Sequence, residues 1–217
     1  MSNEEPIKRY PGESIDVTWD ERLCIHVGEC GRADGELFVG GRDPWCQPDV
    51  TDQDAVVDVV ERCPTGALVY LHKKGEVVET ADEQNTIVVA NHGPLYVRGE
   101  LVIDGAVDDM PSVRFRAALC RCGQSSNKPF CDHSHEKAGF VDRGAIGRTG
   151  PDYEDEGGPL RLEPQTDGPL KVTGKHSVFS ATGRLAYRSE KSFFCRCGAS
   201  KNKPFCDGSH KAAGFSG

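Results

Sequence analysis

The sequence predicts an α+β chain built as several small domains. A compact α+β domain is expected over residues 15–80. Two tandem, mostly β units follow over 81–140 and 160–217, each with one short helix, packed as a pseudo-twofold pair. Three observations carry this. Hydrophobic residues make up 37% of the 217 and aromatic residues only 7%, too sparse a filling for one large core. Gly and Pro, at 25 and 13, imply many turns. Finally, the second half repeats itself. "GPLYVRG" at 93–99 returns as "GPLKVTG" at 168–174, and "CRCGQSSNKPFCDHSHEKAGF" at 120–140 returns as "CRCGASKNKPFCDGSHKAAGF" at 195–215, always 75 positions on and without a gap.

Taken in order, residues 1–14 are polar and hold Pro6, Pro11 and Gly12, which predicts a disordered start. Ile15 and Val17 alternate with polar neighbours, a strand signal. A short helix is expected over 21–30. Thr51 is positioned to cap a helix running through Val60, with Asp52 and Asp54 in its first turn, where the helix dipole favours acids. Val56, Val59, Val60 and Cys63 recur at helical spacing, so Cys63 falls on the apolar side. Pro64 and Gly66 then turn the chain into a hairpin of Ala67–Leu71 and Val77–Val78 around "HKKGE". In the repeated units, "TIVVA", "YVRGELVI" and "VRFRAAL" alternate as short strands. Residues 141–159, acidic and rich in Gly and Pro, are expected to be a linker. A helix should begin at Asp207, a good N-cap, and end at Gly214.

The net charge of −8 argues against nucleic acid and anionic membranes as partners. No leader-like segment and no apolar run of spanning length occur, so a cytoplasmic protein is expected. Ten cysteines without a secretion signal point to metal rather than disulfides. They fall as 24, 30, 46, 63; then 120, 122, 131; then 195, 197, 206, which suggests three sites.

In Cys195-Arg196-Cys197 the two thiols lie two residues apart, so in an extended segment they face one way and can grip one metal atom. His210 follows Cys206 by four residues, one turn along the same helix face, so this pair can share a second. The helix start adds free N–H groups that favour an anionic centre. Cys120, Cys122, Cys131 and His135 repeat the set. Three Cys and one His suit a single zinc ion, whereas a C-x-C pair set against a C-x3-H pair divides more naturally over two irons.

The motif C-x-C-x2-Ser-x3-Pro-x-C-D-G-S-H, with Ser125 and Ser200, Pro129 and Pro204, and Asp132 and Asp207, resembles the CDGSH iron–sulfur (NEET-type) family. The resemblance implies a 2Fe–2S cluster in each motif, two Cys on the inner iron and Cys plus His on the outer. It also implies a monomer whose two motifs form internally the arrangement other members make by pairing chains. His133 departs from the pattern, standing where the family has the Gly seen at 208. Gly there is expected to let the backbone approach the cluster. His133 lies half a turn from the ligand face, so His135 is the expected ligand. His133 is left either facing solvent or bonding near the first cluster.

"CIHVGEC" with the remote "CPTGAL" resembles a divergent mono-cluster ferredoxin-like domain. Cys24, Cys30 and Cys63 take its first, third and last cysteine positions, and Val27 takes the middle one. Three cysteines suit a 3Fe–4S cluster. A 4Fe–4S cluster needs a fourth ligand, from Cys46 or His26. His72, His92 and His176 lack ligand-spaced partners and are expected in loops or at the surface. No catalytic or nucleotide-binding signature is present, so no enzyme is expected. The leading expectation is an electron carrier docking on protein redox partners. Cluster transfer to apo-protein acceptors, or redox or pH sensing, stands second, and a structural zinc module third.

Overall fold

The computed structural model describes residues 6–73, 79–106, 110–147, 149–151 and 157–217. Residues 1–80 and 81–217 form two compact units. Val77–Val78, the expected second arm of the first hairpin, lies outside the described residues.

The first unit is a three-stranded antiparallel sheet, in order β1 (Ile7–Tyr10), β2 (Ile15–Asp20), β3 (Leu68–His72), with one helix, α1 (Gln53–Glu61). Ile15, Val17, Leu68 and Tyr70 alternate onto the face that packs with Val56, Val59 and Val60 of α1. Three expectations are corrected. Residues 7–10 are not disordered: they pair with β2 from Ile7↔Asp20 to Tyr10↔Val17, and Arg9 forms an ion pair with the buried Asp16. Residues 21–30 are not a helix. Asp20 draws the Arg22 amide and guanidinium onto its carboxylate (3.0 and 2.9 Å), and His26 and Gly28 take left-handed φ of 54° and 91°, which no α-helix accepts. Asp52, not Thr51, caps α1, accepting from the Ala55 amide at 2.9 Å.

In the second unit the repeated segments interleave in one mostly antiparallel sheet. Its strands are β4 (Thr86–Val89), β5 (Leu95–Arg98), β6 (Glu100–Ile103), β7 (Arg116–Leu119), β8 (Pro159–Pro164), β9 (Leu170–Phe179) and β10 (Leu185–Phe194). The order is β6-β8-β9-β4-β5-β7, with β10 also on β9. Within each copy the pairings match: Thr86↔Arg98 and Arg161↔Thr173, Arg98↔Arg116 and Thr173↔Lys191. Between copies they are reciprocal. β4 lies parallel to β9 with Thr86↔Ser177, and β8 lies parallel to β6 with Arg161↔Val102. Each copy therefore completes the other's sheet.

Residues 142–146 do not hang free as a linker. Asp142 holds Arg121 at 2.7 Å, the Gly144 carbonyl accepts from Ala181, and Ile146 is buried. His176 is buried, donating from Nδ1 to the Gly174 carbonyl (2.7 Å) and accepting at Nε2 from Ser192 (2.8 Å), which corrects its expected surface position. No helix among the described residues is long and apolar enough to cross a membrane.

Candidate metal centres

In each motif a strand delivers the C-x-C pair and the following loop returns antiparallel to it. The Cys120 amide donates to the Pro129 carbonyl (2.9 Å) and the Cys131 amide to Ala118 (2.8 Å). Cys195 to Pro204 and Cys206 to Phe193 repeat this, both at 2.8 Å. The loop is pinned by a buried serine. Ser125 Oγ donates to the Phe130 carbonyl at 2.6 Å and accepts from the Asn127 amide; Ser200 does the same with Phe205 and Asn202. Asp132 accepts from the Ser126 and Ser134 amides, and Asp207 from those of Lys201 and Ser209. The helices α2 (Ser134–Lys137) and α3 (Ser209–Ala212) are shorter than expected and begin two residues after the Asp. The residue between takes a left-handed φ: 88° at Gly208 and 71° at His133. A Cβ on Gly208 would meet nothing within 4 Å. Toward the chain's own atoms, Gly therefore suits this place for its backbone conformation.

These frames bring the donors together in pairs. Sγ–Sγ is 3.8 Å for Cys120 and Cys122 and 3.6 Å for Cys195 and Cys197. Sγ–Nδ1 is 3.4 Å for both Cys131–His135 and Cys206–His210. Backbone amides aim at the sulfurs: Gln124 at Cys122, Ala199 at Cys197 and Gly208 at Cys206, each at 3.4 Å, and His133 at Cys131 at 3.5 Å. Such donors favour thiolates over thiols. The hydrogen bond shared with Cys122 pulls the Cys120 thiol down, whereas burial pushes Cys131 up to about 12. A metal atom displaces these protons, so the donor set fits a centre that takes thiolate and neutral imidazole.

Sequence reasoning missed how the two motifs meet. A Cβ on Gly198 would lie 2.7 Å from the Cys122 carbonyl, and one on Gly123 3.1 Å from that of Cys197, so the two C-x-C segments abut through glycine. Arg121 and Arg196 are buried and each feels the first thiol of the opposite motif, Cys195 and Cys120. Burial pushes both guanidinium groups down, and Asp142 opposes this at Arg121. Arg121 also donates to the Gly93 and Ala90 carbonyls, and Arg196 to those of Gly168, Gln165 and Gly217. The repeat preserved both Arg and both Gly, which was the signal available.

His133 does not simply face solvent. Its Nε2 meets Glu136 Oε1 at 2.9 Å, and its ring centre is 4.9 Å from that of His135. Burial, then the charge of His133, lowers the His135 pKa.

In the first unit, Cys24, Cys30 and Cys63 line one cavity of about 530 Å³ together with His26, Trp19 and Trp45. Burial raises the Cys30 thiol, and the nearby Cys63 and Cys24 raise it further. Cys63 Sγ lies 3.4 Å from Thr65 Oγ1, and Cys24 Sγ 4.0 Å from His26 Nδ1. Cys46 is placed differently. It is only 1% exposed, sits in the apolar core bridged to Phe38, is pushed up to about 12 by burial, and does not line that cavity.

Residues 92–136 and 167–211 each match the family described as "Iron-binding zinc finger CDGSH type", and residues 10–73 match "Divergent 4Fe-4S mono-cluster". The chain belongs to the CDGSH iron–sulfur family, with a divergent mono-cluster domain ahead of its two motifs. In its N-terminal part the chain is also similar to "Uncharacterized protein YjdI" of Escherichia coli K12 and to its counterpart in Escherichia coli O157:H7. Each is 48% identical over 64 residues, covering 30% of this chain and 84% of theirs. No solved structure matches.

Proposed function

We propose that this iron–sulfur protein is a non-catalytic, cytoplasmic electron carrier. Cys120, Cys122, Cys131 and His135 hold one 2Fe–2S cluster, and Cys195, Cys197, Cys206 and His210 hold a second. Cys24, Cys30 and Cys63 hold a 3Fe–4S or 4Fe–4S cluster. One observation carries the two-iron reading. In each motif the donors stand as two close pairs, Sγ–Sγ at 3.8 or 3.6 Å and Sγ–Nδ1 at 3.4 Å. Each pair suits one metal atom, so two pairs suit two irons rather than one tetrahedral zinc.

Such clusters supply one-electron storage without bond-making. The protein's own groups set the conditions. Amide donors stabilise the thiolates. Arg121 and Arg196, each near the other motif's thiol, offset the charge of two neighbouring anionic centres. The reciprocal strand registers and the glycine contact support a pseudo-twofold pair that brings the two centres close, in a chain that needs no second copy. The overall charge of −8 suits docking on basic patches of protein redox partners.

Cluster transfer to apo-protein acceptors is the second reading. It is favoured at the second motif, where Cys206 and His210 are only half-buried. Potentiometric titration of the anaerobic protein tests the choice. The carrier cycles reversibly through all its clusters with iron retained. Loss of iron on reduction, with intact delivery to an apo-ferredoxin, would favour transfer instead.

A further inference from the structure

We propose that His26 is the fourth ligand of the N-terminal cluster, making it a four-iron centre with three Cys and one His. The inference rests on the reading above that Cys24, Cys30 and Cys63 hold a cluster, and it settles which side chain completes the set. Cys46, the other candidate, is 1% exposed, paired through the backbone with Phe38 and packed in the core, and it does not line the cavity. Bringing its thiol to the cavity would open that core. Val27, at the position where ferredoxins place their middle cysteine, is 42% exposed and has no donor atom. His26 lines the same cavity as the three cysteines. Its Nδ1 lies 4.0 Å from Cys24 Sγ, which sets a nitrogen donor beside the thiols that line the cavity.

The backbone points the same way. His26 holds φ at 54°, a left-handed conformation that a non-glycine residue adopts only at a steric cost. With Gly28 at 91° it bends the "CIHVGEC" loop around the cavity mouth. Strain kept at a residue that ends beside three metal-ligating thiols marks a functional position. His26 is exposed while the cysteines are half-buried, so its corner of the cluster is the one nearest solvent.

The test uses the full chain, purified anaerobically and oxidised. In that state 2Fe–2S and 4Fe–4S centres give no EPR signal, whereas a 3Fe–4S centre does, so the N-terminal site is read without interference from the CDGSH motifs. The unsubstituted protein is expected silent, with about eight irons and eight sulfides per chain. His26→Ala is expected to gain a 3Fe–4S signal of about one spin per chain and to lose about one iron at unchanged sulfide. Cys46→Ser is expected to change neither reading. If His26→Ala instead loses the whole N-terminal cluster, His26→Cys must restore four irons there; failure to do so overturns the proposal. It is also overturned by a silent His26→Ala with full iron, by a 3Fe–4S signal in the unsubstituted chain, or by a signal in Cys46→Ser. About four irons in the unsubstituted chain would instead remove the N-terminal cluster itself, and the proposal with it.

Discussion

The two CDGSH motifs share one frame and differ in what surrounds it. The Ser, Asp and amide contacts match residue for residue, as do the Sγ–Nδ1 distances of 3.4 Å. Around the first, Cys131 and His135 are buried, the His133 ring lies tilted beside that of His135, and Glu136 and Asp142 add negative charge. Around the second, Cys206 and His210 are half-buried, Gly208 replaces His133, and Lys211 stands where Glu136 does. Burial and nearby negative charge both oppose adding an electron to an anionic cluster. The same ligands should therefore give a lower potential in the first motif and a more accessible, labile cluster in the second.

The largest effect comes from removing one centre. Cys122→Ser and Cys197→Ser should each lower iron and sulfide by about two per chain and leave the other cluster to be titrated alone. The cluster left by Cys197→Ser should have the lower potential; equal potentials would break the comparison. Next, His135→Cys and His210→Cys should each lower the potential of their own cluster by on the order of 100 mV or more, because thiolate adds negative charge. Voltammetry showing no shift would remove that histidine from the ligand set. Ser125→Ala and Ser200→Ala each strand a buried carbonyl and amide, so a loss of about 1–3 kcal/mol in denaturant unfolding is expected from both. Smaller still, Gly208→Ala should cost about 1 kcal/mol through its left-handed φ alone, since the space is open, and His133→Gly should gain about as much. Reversing a charge with Glu136→Lys should raise only the first potential, by on the order of tens of mV.

The N-terminal unit provides a control on its own residues. Burial pushes the Asp16 carboxyl up, but Arg9, the Gly12 amide and Lys73 outweigh this and hold it below its usual value. The stability it provides is therefore present above the ordinary carboxylate range near pH 4 and is lost as pH falls through the lowered value. Asp16→Asn should flatten that acid-side loss, as read by the denaturation midpoint against pH.

Local chemistry was legible in the sequence where spacing alone fixes geometry. The C-x-C and C-x3-H pairs, the serine and aspartate of the loops, and the apolar face of α1 all depend on contacts between near neighbours. What was not legible depends on distant partners. β1 is ordered by β2 and by Asp16, not by its own composition. His176 reads as a loop histidine until β10 brings Ser192 to it. Residues 142–146 look like part of a linker until Asp142 meets Arg121. The interleaving of β4 with β9 and β6 with β8 exchanges elements between copies, which a repeat cannot reveal because both copies carry the same letters.

The most direct measurement is iron, acid-labile sulfide and zinc per chain on the anaerobically purified protein. The account predicts about eight irons with equal sulfide and no stoichiometric zinc, from two 2Fe–2S clusters and one four-iron centre. One or more zinc ions per chain with little iron or sulfide would contradict it.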